Sequence, residues 1–140
     1  MKVLVIGATG TIGKAVVELL QKNHEVVKVG YRDGDYQVDI SSKESIQALF
    51  DKVGQVDAIV CTTGLANFGK FNELTDEDYA LGLRNKLMGQ VNVVRLGQHV
   101  LNPGGSITIT IGVLGQEPIP GSTVVSLANG GLEGFSVPRP

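Results

Sequence analysis

The apolar run at residues 3–6, followed by Gly7, Gly10 and Gly13, constrains this chain more than any other feature. Four consecutive apolar residues read as a strand buried on both faces. Ile12, Val16, Leu19 and Leu20 then recur at helical spacing, so the glycines fall where a first strand turns into a first helix. Glycine permits the tight turn and lets backbone N–H groups come close to an anion, and a helix N-terminus adds a favourable dipole. Thr9 and Thr11 add hydroxyls. A purely structural turn would also account for three glycines. The strand before them and the amphipathic helix after them are the setting that points to a diphosphate.

The rest of the chain repeats this alternation. "EVVKVG" (25–30) and "DAIVCT" (57–62) read as short strands, and "SITITI" (106–111) alternates as another. Ser41 and Glu44 have capping-box spacing, and Ile46, Leu49, Phe50 and Val53 follow as a helical face. Thr75 precedes Asp76, Glu77 and Asp78, the acidic first turn that a helix N-terminus favours. Leu83, Leu87, Val91, Val94 and Leu101 mark a long helix over 83–101, closed by Asn102-Pro103-Gly104-Gly105. A last helix spans 122–135, with Val124, Leu127, Gly131 and Phe135 on one face. Strands alternating with helices predict parallel βαβ units in a single domain over 1–140.

Composition excludes several classes. A net charge of −2 with no charge run argues against a nucleic-acid groove. The opening apolar run is too short for a membrane span or a signal peptide. The lone Cys61 forbids an internal disulfide and fits a reducing, cytoplasmic setting. Glycine supplies 19 of 140 residues without periodicity, which suggests turns and close backbone approaches. His24 and His99 lie far apart, and no spacing suits a metal.

Five segments together carry a family likeness. "GATGTIG" (7–13), "VDI" (38–40), "CTTG" (61–64), "GGSITIT" (104–110) and "LANGGLEGF" (127–135) make the chain resemble the short-chain dehydrogenase/reductase family over 1–135. The resemblance implies a Rossmann-like, doubly wound parallel α/β sheet flanked by helices, and NADP or NAD as cofactor. It implies cofactor contacts from Gly7, Thr9, Gly10, Thr11, Ile12 and Gly13. Asp39 and Ile40 would lie at the adenine, and Thr62, Thr63 and Gly64 on the ribose and nicotinamide side. A plain strand end would also explain the last three.

The second strand ends in Gly30, Tyr31, Arg32 and Asp33. In such folds an acidic residue closing this strand selects NAD, whereas a small residue followed by Arg accepts the 2′-phosphate of NADP. Gly30 with Arg32 favours NADP, and Asp33 keeps NAD as the alternative. "RDGD" is also what a solvated turn would look like.

The family's chemistry uses Ser, Tyr, Lys and Asn. The resemblance puts these positions on Gly112, Val125, Asn129 and Lys86, with Asn85 next to the last. None of the four expected residues is present, so no catalytic residue is assigned. Thr110, Ser126, Lys86 and Glu133 are conceivable stand-ins, although each has an ordinary packing or surface explanation. Cys61 reads as a small buried strand residue. Loss of general acid–base help alone costs about 10²–10⁴ in rate.

The family usually continues through two further strands, so strand 106–111 reads here as an uncovered edge bearing Ile107, Ile109 and Ile111. Either a partner subunit covers that edge, or the chain is a fragment of a longer one. The expected partners are a dinucleotide, a small carbonyl or alcohol, and a second copy docking through helices 83–101 and 122–135. Nucleic acid and membrane are not expected partners. Two functions compete: an NADP(H)-dependent oxidoreductase with weak or non-standard catalysis, and a non-catalytic nucleotide-binding sensor or scaffold.

Overall fold

The computed structural model describes residues 1–136, in two compact units. The first comprises Met1–Thr63 and Asn92–Thr110; the second comprises Gly64–Val91 and the residues from Ile111 onward.

The first unit holds β1 (Lys2–Ile6), α1 (Thr11–Leu20), β2 (Glu25–Gly30), β3 (Tyr36–Gln37), α2 (Lys43–Val53), β4 (Val56–Cys61) and β5 (Leu101–Ile109). The strands form one five-stranded sheet in the order β3-β2-β1-β4-β5. Every pairing is parallel. This is the doubly wound arrangement expected from the sequence.

Central β1 explains the unbroken apolar run. Leu4 and Ile6 point into a large core with Val29, Ile46, Leu49, Phe50, Ile59 and Val93. Val3 and Val5 point to the opposite face, where Ala8 and Val17 complete a smaller core. Alternate side chains of one strand thus feed two layers, and neither face of β1 meets water.

The phase of α1 is fixed by one contact. A Cβ on Gly13 would be driven into the carbonyl of Gly7, so helix and turn touch backbone to backbone. One turn on, Val17 is buried with Gly13, while Ile12 and Leu19 are left exposed. The expected face of Ile12, Val16, Leu19 and Leu20 is therefore rotated, and only Val16 and Leu20 pack partly against the core.

Three further details differ from expectation. The helix α2 is capped by Ser42, whose hydroxyl accepts the N–H of Ser45 at 3.1 Å. Ser41 lies one residue before that cap, and its N–H is held by Asp39 Oδ1 at 3.0 Å. The helix α4 (Met88–Gly97) stops well before residue 101. Leu101 pairs with Val56 and Ser106 with Ala58, so Asn102-Pro103-Gly104-Gly105 bulges out of β5 rather than closing a helix. Gly104 has φ +79°, the conformation that favours glycine. The edge strand β5 turns Ile107 and Ile109 toward the large core, leaving Ser106 and Thr108 exposed.

The second unit holds α3 (Asp76–Leu81), a π-helical turn (Gly82–Leu87), a short 3₁₀ turn (Val113–Gly115) and α5 (Thr123–Phe135). Thr75 caps α3 in a full capping box with Asp78. Gly82 lies so close to Val124 that a side chain there would overlap it. The helix α5 buries Val124, Val125, Ala128, Asn129 and Leu132, and Leu127 is exposed. The buried stripe is thus offset from the Val124, Leu127, Gly131, Phe135 face read from spacing.

Two predictions follow from the first unit. Gly13→Ala must displace backbone, so it should lower stability by about 1–3 kcal/mol, measured as a shift of the urea midpoint. Asp57 fixes the start of the sheet: its carboxylate accepts the Lys2 N–H at 2.7 Å and the Asn102 amide at 2.9 Å. The Lys2 backbone N–H, then Asn102, holds its pKa below the ordinary 3.8. A depressed folded pKa gives stability that is complete above the unfolded value and lost as pH falls through the folded one. Asp57→Asn should therefore melt below the parent at pH 6, and the gap should narrow as the pH is taken down toward 3.

Candidate nucleotide-binding site and catalytic positions

The turn after β1 is held by backbone. The N–H groups of Gly7 and Ala8 both donate to Val29 O, at 2.8 and 3.0 Å, and Gly10 N–H donates to Gly7 O at 3.1 Å. Gly7 has φ +90°, and a Cβ there would stand 2.7 Å from Thr62 Oγ1. The Thr62 hydroxyl in turn donates to Ile6 O and Gly7 O, each at 3.2 Å. Lys14 is the first residue whose N–H bonds back along the helix, to Gly10 O at 2.9 Å. The N–H groups of Thr11, Ile12 and Gly13 therefore form the orphan first turn of α1, with Gly10 as a cap that supplies no side chain. A helix start of this kind, with glycines where side chains would block approach, suits a diphosphate.

Beyond β2 the chain makes a closed loop. Gly30 N–H donates to Asp33 O at 3.1 Å, Asp35 N–H donates to Lys28 O at 2.7 Å, and Gly34 adopts φ +86°. Arg32 lies over the Tyr31 ring, 5.5 Å from its centroid. Both line an open cleft of about 380 Å³ together with Gln37, Val38, Asp39 and Ser45. Asp39 is anchored at the cleft wall, its N–H donating to Ser45 Oγ at 2.9 Å and its Oδ1 accepting from Ser41. Ile40 is buried in the large core. The hydroxyl of Thr9 donates to Asp33 Oδ1 at 3.0 Å. Thr63 is half-buried, and its carbonyl faces Cys61 Sγ at 3.8 Å.

In the second unit, Gly64 sits against the Lys86 side chain: a Cβ on it would be 3.1 Å from Lys86 Cγ. Asn85, unlike Lys86, is buried in the π turn, and its Oδ1 accepts Leu65 N–H at 2.7 Å. The wider π turn shifts the helical register there, which regular spacing could not reveal. Val125 is buried. Asn129 is 1% exposed, and its Oδ1 accepts the N–H of Gly112 at 3.2 Å. A Cβ on Gly112 would meet Asn129 Nδ2 at 2.9 Å, so the carboxamide fills the space beside position 112.

The stand-ins are engaged elsewhere. Thr110 Oγ1 donates to Cys61 O at 2.7 Å in the first unit. Ser126 Oγ lies 2.9 Å from Ser122 Oγ, which ties the start of α5 to Ile119. Glu133 accepts from Gln116 Nε2 at 2.6 Å. Cys61 is fully buried. Among the described residues, no cluster of His, Cys, Asp and Glu could hold a metal, and no helix is long and apolar enough to cross a membrane.

The fold and these positions have close counterparts. A family model described as enoyl-(acyl carrier protein) reductase matches residues 3–136. Elsinochrome reductase 1 of Elsinoe fawcettii is 31% identical over 71% of this chain and 39% of its own length. The 3-oxoacyl-[acyl-carrier-protein] reductase of Homo sapiens is 26% identical over 94% of this chain and 65% of its own. The chain thus spans less than two-thirds of the length of these relatives. Among solved structures, a Listeria innocua protein matches with TM-score 0.94 and 45% identity, over 96% of this chain and 68% of its own. A small-chain dehydrogenase in complex with NADPH matches with TM-score 0.89 and 26% identity, over 97% of this chain and 62% of its own. With the family match running from strand β1 to the end of α5, this chain belongs to the short-chain dehydrogenase/reductase family of oxidoreductases.

Proposed function

We propose that the chain binds NADP(H), with NAD as the second choice, and is an oxidoreductase of weak or non-standard catalysis toward a small carbonyl or alcohol. The observation that carries this reading is the turn at residues 7–13. Gly7 and Gly13 sit where Cβ atoms would strike Thr62 or backbone, and the first-turn amides of α1 have no acceptor within the helix. Those amides would hold the diphosphate. Arg32, at the cleft with Tyr31, would meet the 2′-phosphate, and Asp39 would border the adenosine. Ile40 would support that wall from the core. Thr62, Thr63 and Gly64 would follow on the nicotinamide side. The NADPH found in a similar structure supports the choice of nucleotide.

Bound NADPH supplies a hydride. The chain's own residues can bind and orient, which lowers the entropic part of a barrier. Val125 has no proton to give. Asn129 carries no charge to depress a neighbour's pKa, and its carbonyl already serves Gly112. That occupied carboxamide favours the second reading, a non-catalytic sensor or scaffold. A homo-oligomer through the segments read as helices 83–101 and 122–135, whose helical parts end at Gly97 and Phe135, belongs to the same proposal. Gly130 and Gly134 leave open space on α5, and Leu127 is exposed there. The single buried cysteine suits a cytoplasmic setting.

Titrating the chain into NADPH while following nicotinamide fluorescence tests the proposal. Saturable binding, tighter than for NADH, is the expected outcome, with carbonyl turnover about 10²–10⁴ below that of a full catalytic set. Binding without any turnover supports the sensor reading, and no binding of either nucleotide overturns both. Gly112→Ser alone should not raise turnover. It should lower the melting temperature, since its Cβ crowds the buried Asn129 amide.

A further inference from the structure

We propose that Asp33 is a positioning residue for the phosphate-binding turn, acting through Thr9, and does not choose between the two nucleotides. The inference rests on the nucleotide reading above. Arg32 and Asp33 are neighbours in one loop, yet they serve different surroundings. Arg32 lines the cleft with Tyr31 and Asp39, whereas Asp33 is not part of its wall. The Asp33 carboxylate is folded back over the end of β2, where its Oδ1 occupies the space a side chain on Gly30 would need. Gly30 is therefore required by the loop itself, which closes through Gly30 N–H to Asp33 O at 3.1 Å. From there Asp33 Oδ1 accepts the Thr9 hydroxyl at 3.0 Å.

Thr9 lies between Gly7 and Gly10, inside the turn whose amides would hold the diphosphate. Backbone hydrogen bonds fix Gly7, Ala8 and Gly10. The Thr9 side chain reaches instead to the loop that carries Arg32. A group that orders the turn common to both dinucleotides changes both affinities alike. A group that touches the ribose changes their ratio.

Calorimetry of the full chain with NADP and with NAD separates these roles. Asp33→Ala and Thr9→Val should each weaken both nucleotides by the same factor, about three- to tenfold. The double variant should be no weaker than either single one, because one hydrogen bond is removed once. Asp33→Asn should restore near-parental binding, since its Oδ1 still accepts the hydroxyl proton. Circular dichroism and the melting temperature of each variant verify folding. If Asp33→Asn or Asp33→Ala costs NAD more than tenfold while NADP is unchanged or gains, Asp33 is a selector and the proposal is overturned. Additive losses in the double variant, or a loss in only one of the two single variants, overturn it as well. Failure of the parent chain to bind either nucleotide overturns the underlying reading along with it.

Discussion

The approach of α1 to the Gly7 carbonyl is the contact on which the first unit depends. Because Gly13 has no Cβ, the helix can lie against the turn that launches it. That contact sets which residues of α1 enter the smaller core, and so places Val17 beside Val3 and Val5. The turn is held from its other side by Val29 O, which accepts two N–H groups and ties the turn to β2. A larger residue at 13 would move the helix, the smaller core and the orphan amides together. Folding, and the anion binding proposed for this turn, thus place the same demand on one position.

Much of this was legible because it is written in backbone requirements. The buried strand, the three glycines and the following helix occur within one short stretch, and only a few local structures satisfy all three. Strands 25–30 and 57–62 were also plain, since β-branched residues bounded by polar turns leave little choice. What escaped depends on contacts distant in sequence. Leu101 has the spacing to extend α4, but it pairs with Val56, and Val100 O accepts the Val56 N–H at 2.9 Å. Ser41 has the spacing of a cap, but the helix begins one residue later, behind Ser42. The π turn at Gly82–Leu87 buries Asn85, the neighbour of the Lys86 on which the resemblance had put the family's Asn.

The helix α5 shows a different limit. A face of Val124, Leu127, Gly131 and Phe135 is as regular a reading as the stripe observed. The choice between them is made by neighbours. Gly82 admits Val124, and the 3₁₀ turn brings Gly115 against the backbone at Asn129 and Gly130. These contacts rotate the helix so that Asn129 is enclosed, and its carboxamide is then obliged to find a partner in the N–H of Gly112.

The contrast between the two sets of positions follows from what carries each function. The proposed nucleotide cradle would be made of backbone amides and absent side chains, features that the fold requires for its own packing. Losing them would cost stability as well as any binding there. Acid–base chemistry is carried by side-chain groups that packing does not need. At Val125 a tyrosine hydroxyl would have to find a partner in a buried place, and valine asks for none. At Asn129 a lysine would have to keep its charge compensated while 1% exposed, whereas a carboxamide needs only a neutral hydrogen bond. The residues present at these positions are ones an uncharged interior accepts readily. The fold therefore makes no demand for acid–base groups at these positions, whereas its packing does demand Gly7 and Gly13 in the turn after β1.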